Sequence, residues 1–149
     1  MNAMTLMRSC GIVLLLLMAT SAARAQKQSA NWIKGTWEGT GYQIDDNSTW
    51  AMHFRASGKR FSIDYPSLNC GGRWRLVSIS ATRARFREIL DHGQDKCTDK
   101  GSVLIQRLSR KQLMFLYSNP GTREVSASAV LNREPRAKLL RNSSFPLAP

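Results

Sequence analysis

The chain has 149 residues, with 22 Lys and Arg against 10 Asp and Glu and a formal net charge of +12. That length is one domain's worth of chain, enough to bury a modest core. The charge sets up a field that favours anionic partners and carries no information about fold.

Residues 1–25 read as a cleaved secretory signal. Arg8 supplies the positive start, Gly11 to Met18 is an apolar run too short to span a bilayer, and Ala23-Arg24-Ala25 is a small-x-small cleavage site. The protein is therefore expected to be exported, periplasmic or secreted, with no transmembrane segment in the mature chain. Cleavage removes Cys10, Arg8 and Arg24, which lowers the net charge from +12 to +10. Cys70 and Cys97 remain, and in an exported chain they are expected to form one disulfide. The loop it closes is about 27 residues, worth about 3.5 kcal/mol in the chain-entropy account. The wide spacing, the absence of clustered histidine and the absence of C-x-x-C disfavour metal ligation and redox catalysis.

Residues 26–33 are expected to be a loose N-terminal segment, and residues 34–133 a single β domain. Short runs of alternating apolar and polar residues, broken by turn formers, are the pattern of antiparallel sheet. The first strand is expected over Gly35 to Ile44, with Trp37, Gly39 and Gly41 on one face. The second, Thr49 to Ala56, puts Trp50, Met52 and Phe54 opposite His53 and Arg55. The third, Arg60 to Tyr65, sets Phe61, Ile63 and Tyr65 opposite Arg60, Ser62 and Asp64, and Pro66 ends it. The fourth and fifth, Gly72 to Ser80 and Arg83 to Leu90, are close enough in sequence to form a hairpin turning near Ala81. Gly101 to Leu108, Gln112 to Ser118 and Arg123 to Arg133 complete eight strands, and residues 134–149 read as a flexible basic tail. The expected fold is all-β: an up-and-down meander of about eight antiparallel strands in a small closed or nearly closed barrel. A two-sheet sandwich is the alternative.

A turn near Ala81 sets position 75 opposite 87 and position 74 opposite 88. Arg73, Arg75, Arg83, Arg85 and Arg87 then share one side of the hairpin, without interleaved acids, as candidates for binding an anion. A solvated outer wall is the plainer use of the same residues. Trp74, Leu76, Ala84, Phe86 and Leu90 take the other side. Trp37, Trp50, Phe54, Trp74, Phe86 and Glu88 are the expected barrel interior. Glu88 is the odd member, either paired with a neighbouring Arg or turned into a cavity. Gly39, Gly41, Ala84, Ala127 and Ala129 either leave room for a ligand or make space for the tryptophans.

No catalytic residue, metal ligand or cofactor is assigned. The chain lacks G-x-S-x-G, a Walker loop and H-E-x-x-H, its histidines His53 and His92 are isolated, and Asp45 and Asp46 suit a turn.

Gly35-Thr36-Trp37 at the head of an eight-strand meander resembles the G-x-W element of the calycin superfamily, the lipocalin and avidin type of barrel. The resemblance implies a tryptophan packed at the closed end against a basic residue of the last strand, for which Arg133 is the candidate. Gly35 to Gly39, Tyr65 to Gly72, Arg87-Glu88-Ile89, and Cys97 with Gly101 are also similar to a group of small exported bacterial barrel domains of unknown function. That resemblance implies barrel and disulfide and transfers no catalytic residue.

The expected function is a non-enzymatic exported module that engages an anionic envelope component, lipid phosphate or acidic glycan, through its basic sheet face. An acidic protein meets the same requirement, peripheral membrane contact is compatible with it, and nucleic acid is disfavoured outside the cytosol. The alternatives are a calycin-like carrier of a small apolar ligand and an inhibitor of a secreted or host enzyme.

Overall fold

A computed structural model describes residues 31–135. The signal expected over residues 1–25 lies outside the described residues, as does the expected tail from residue 136 onward. Eight antiparallel strands follow one another around a closed barrel: β1 (Gly35–Gln43), β2 (Thr49–Ser57), β3 (Arg60–Tyr65), β4 (Cys70–Ile79), β5 (Arg83–His92), β6 (Ser102–Arg107), β7 (Gln112–Ser118) and β8 (Ala127–Arg133). Closure comes from β1, which pairs with β2 on one side and with β8 on the other. The barrel is therefore the realised fold and the sandwich is not. Alternation decides which face is inside. On β2 and β3 every second residue is buried, so Met52, Phe54, Phe61, Ile63 and Tyr65 enter the core while His53, Arg55, Arg60 and Asp64 face water. Charged residues also face outward on β4 and β5, among them Arg73, Arg75, Arg83 and Arg85.

Trp74 is the hub of the core. Its ring centroid lies 4.6 Å from that of Phe54, 5.6 Å from Phe86 and 5.7 Å from Phe115, so β2, β4, β5 and β7 meet on one indole. Trp37, Trp50, Phe54, Trp74, Phe86 and Glu88 all lie in the interior. Gly39 and Gly41 serve packing: a Cβ on Gly41 would stand 2.3 Å from the Trp50 indole, and one on Gly39 would stand 2.4 Å from the Val130 carbonyl.

The β4–β5 hairpin pairs Arg75 with Arg87 and Trp74 with Glu88, the expected register. One expectation fails within it. Leu76 is 38% exposed rather than in the core, because the register shifts between Leu76 and Ser78 and leaves Val77 as an extra, 65% exposed residue. Such a bulge bends the strand and lifts its neighbour from the packed face. The eighth strand also starts at Ala127 rather than Arg123, since its ladder to β1 ends at the Gln43–Ala127 pair.

Cys70 and Cys97 are bridged, with Cα atoms 6.4 Å apart. The bond ties the long β5–β6 connection back to the start of β4. Gly93 lets this happen: its φ is +71°, and a side chain there would strike Cys70, 2.4 Å from its Cβ.

The opposite end of the barrel is closed by a short 3-10 turn, Asn31–Ile33, which corrects the expectation that residues 26–33 are loose throughout. Ile33 is buried and its carbonyl accepts a hydrogen bond of 2.8 Å from Trp37 Nε1. Arg133, paired with Trp37 across β1 and β8, holds this plug in place. Its guanidinium sits 4.0 Å from the Trp37 ring and donates to the carbonyls of Trp32, Lys34 and Arg110. One planar cation thus satisfies three backbone acceptors, two before β1 and one in the β6–β7 connection, and covers an indole face, which lysine's single ammonium cannot do. Replacing Arg133 with Ala is expected to cost about 3 kcal/mol in urea unfolding, with Arg133→Lys recovering only part. A loss below about 0.5 kcal/mol would show that the plug holds without it.

Candidate functional site

In an up-and-down barrel alternate connections fall at opposite ends. The β1–β2, β3–β4, β5–β6 and β7–β8 connections surround the end away from the plug and form a mouth. There a cavity of about 380 Å³ opens, walled by Trp50, Phe115, Tyr65 and Tyr117 from the strands and by Asp45, Asp46, Leu68, Lys96 and Thr98 from the connections. The disulfide places the β5–β6 connection on this rim, so Cys97 itself contributes to the lining.

Glu88 is part of the wall of this cavity and is buried. No arginine pairs with it among the described residues. Its Oε1 accepts a hydrogen bond of 2.6 Å from the Tyr65 hydroxyl and one of 3.0 Å from Trp74 Nε1. Burial pushes the Glu88 carboxyl above the ordinary carboxylate value, the hydrogen bonds from Tyr65 and Trp74 pull it back, and the charge of Asp99 raises it. Burial, and then the Glu88 charge, push the Tyr65 phenol well up in turn. Tyr117 follows the same pattern, and its hydroxyl donates to the Thr98 carbonyl at 2.8 Å. At the rim, hydrogen bonds from Ser48 hold Asp46 below its ordinary value, as befits a turn-forming carboxylate. Trp50 Nε1 is the one buried side-chain polar atom without a hydrogen-bond partner among the described residues.

Both donors to the buried carboxylate meet the same oxygen, Oε1, and the phenols are pushed toward their neutral forms. Among the described residues no three His, Cys, Asp or Glu side chains are grouped to hold a metal ion.

The second candidate is the outer face of β4 and β5. Arg73, Arg75, Arg83 and Arg85 are exposed there and Arg87 is half-buried. The expectation that acids are absent from this face is corrected: Asp91, on the same side of β5, forms an ion pair with Arg73. Arg87 donates to the Lys100 carbonyl at 2.7 Å. Both engaged arginines lie toward the mouth. The side chains of Arg75, Arg83 and Arg85 have no hydrogen bond or ion pair among the described residues.

Trp50 and Glu88 were expected inside and Tyr65 on the face of Phe61 and Ile63, whereas Phe115 and Tyr117 of β7 were not singled out in the sequence. The rim was not readable, because Asp45, Lys96 and Thr98 meet only through barrel closure.

Because burial raises the folded-state pKa of Glu88, the folded protein holds that proton more tightly than the unfolded chain does. Its contribution to stability is greatest below the ordinary value of 4.5 and falls as pH rises through the folded-state pKa. Glu88→Gln keeps an oxygen for Tyr65 and Trp74 and is expected to flatten this dependence without loss of stability at neutral pH. Glu88→Leu strands both donors and is expected to cost about 3 kcal/mol. Urea unfolding of both variants at mildly acidic and neutral pH checks the pair, and an unchanged pH slope in Glu88→Gln would refute the assignment. No family model, curated protein or solved structure matches the chain.

Proposed function

We propose that the protein is an exported, non-enzymatic binding module that engages an anionic envelope component, lipid phosphate or acidic glycan, through the basic outer face of β4 and β5. The observation that carries this reading is the set of exposed guanidinium groups of Arg75, Arg83 and Arg85 on one wall, unpaired among the described residues. Arg75 stands directly opposite Arg87 across the ladder, and like charges so placed repel. An anion bound between them relieves that repulsion, and arginine's planar fork suits phosphate or carboxylate oxygens. The wall is rigid because its inner side is the Trp74 cluster.

Removing the charge of Arg75 and Arg85 together, as Gln, is expected to lower affinity for immobilised acidic glycan and for anionic vesicles by about tenfold or more. The salt dependence of binding should become shallower at the same time. Equal binding by the variant and the wild type on both supports overturns the proposal.

The cavity at the mouth supports a second reading, a carrier of a small ligand. Its carboxylates favour an occupant with hydrogen-bond donors over the purely apolar one first expected. Native mass spectrometry of protein isolated from its own envelope is expected to find such a molecule bound, and an empty barrel under gentle release counts against it.

A further inference from the structure

We infer that the plugged end of the barrel is a docking surface for an anionic lipid bilayer, which seats the protein with its mouth turned away from the membrane. The inference rests on the reading above that the partner is an anionic envelope component, and it adds which anion and which end. Meander topology sorts the loops by parity, and the sorting separates charge along the barrel axis. The three connections at the plugged end, residues 58–59, 80–82 and 108–111, contain Lys59, Arg110 and Lys111 and no Asp or Glu. The strand ends beside them add Arg60, Arg83 and Arg107. The connections around the mouth carry Asp45, Asp46, Asp95, Asp99 and Glu124 against Lys96, Lys100 and Arg123. Glu38 and Glu134 are the acids of the plugged half, and both lie on the β1–β8 side.

Apolar exposure decides between the two sources of anions. Leu108 stands 46% exposed between Arg107 and Arg110, and Val77 stands 65% exposed at the β4 bulge, on the plugged-end side of Arg75. An acidic glycan offers charge but no apolar phase for these side chains. A bilayer offers both, and long basic side chains around an apolar contact can keep their charges among headgroups. The mouth also exposes Ile44, Leu68 and Val125, but its connections together carry Asp45, Asp46, Asp95, Asp99 and Glu124, whose charges repel lipid phosphate. Charge therefore selects the plugged end.

The test is co-sedimentation of the purified protein with vesicles of phosphatidylcholine, alone or mixed with phosphatidylglycerol, beside binding to immobilised acidic glycan. The wild type is expected to partition onto the mixed vesicles only. The triple variant Lys59→Gln, Arg110→Gln, Lys111→Gln is expected to lose about a hundredfold in that partition. Leu108→Ser is expected to weaken vesicle binding severalfold and leave glycan binding unchanged. The replaced side chains are exposed, so the unfolding midpoint should stay at the wild-type value. Full vesicle binding by the triple variant, with loss in the Arg75 and Arg85 variant, overturns the docking end and leaves the wall reading standing. Glycan binding without vesicle binding overturns the bilayer as partner, and binding to neither support overturns both readings.

Discussion

The cross-strand pair of Trp74 and Glu88 is the constraint on which the rest of the barrel wall depends. A buried carboxylate is tolerable only where donors meet it, and here Tyr65 of β3 and Trp74 of β4 converge on one oxygen of a β5 residue. Sliding β5 by one residue would take Glu88 from both donors and bring arginines into the aromatic cluster. The polar contact therefore sets register among three strands, while the stacked rings around Trp74 supply most of the burial. The direction in which the arginines point follows from that register, so the outer chemistry of the wall is fixed from inside.

The two ends of the barrel are finished by different means. At the plug, a guanidinium on the Trp37 ring gathers the carbonyls of Trp32, Lys34 and Arg110, and the core is sealed without a covalent link. At the mouth, the sealing elements are absent and a disulfide restrains the longest connection instead. Closing a loop of that length limits the unfolded chain more than it tightens the folded one. The mouth is thus held at its rim and left hollow at its centre, an arrangement that keeps Glu88 close to solvent without exposing it.

Most of the fold was legible because period-two alternation survives nearly intact: the runs Trp50-Met52-Phe54 and Phe61-Ile63-Tyr65 assign inside and outside directly, and the short Ser80 to Thr82 turn sets the pairing of β4 with β5. What was not legible is physical in kind. The bulge at Val77 leaves no mark in composition, so Leu76 reads as core until the ladder is seen. The Asn31–Ile33 turn is too short to carry a period, and the adjacent apolar pair Trp32-Ile33 was its only signal. Asp91 reads as the start of a loop, whereas β5 runs on to His92 and carries that carboxylate onto the arginine face. The separation of charge between the ends depends on knowing which loops share an end, which periodicity on single strands does not convey.

Barrel closure also bears on how any partner can be recognised. With β1 hydrogen-bonded to β2 and to β8, the sheet has no open edge along which another chain could align its backbone. Strand addition, the recognition mode that depends least on side-chain identity, is closed to the barrel formed by the described residues. Selectivity must be written in side chains at the wall, the mouth and the plug, where single substitutions can redirect it without disturbing the ladder.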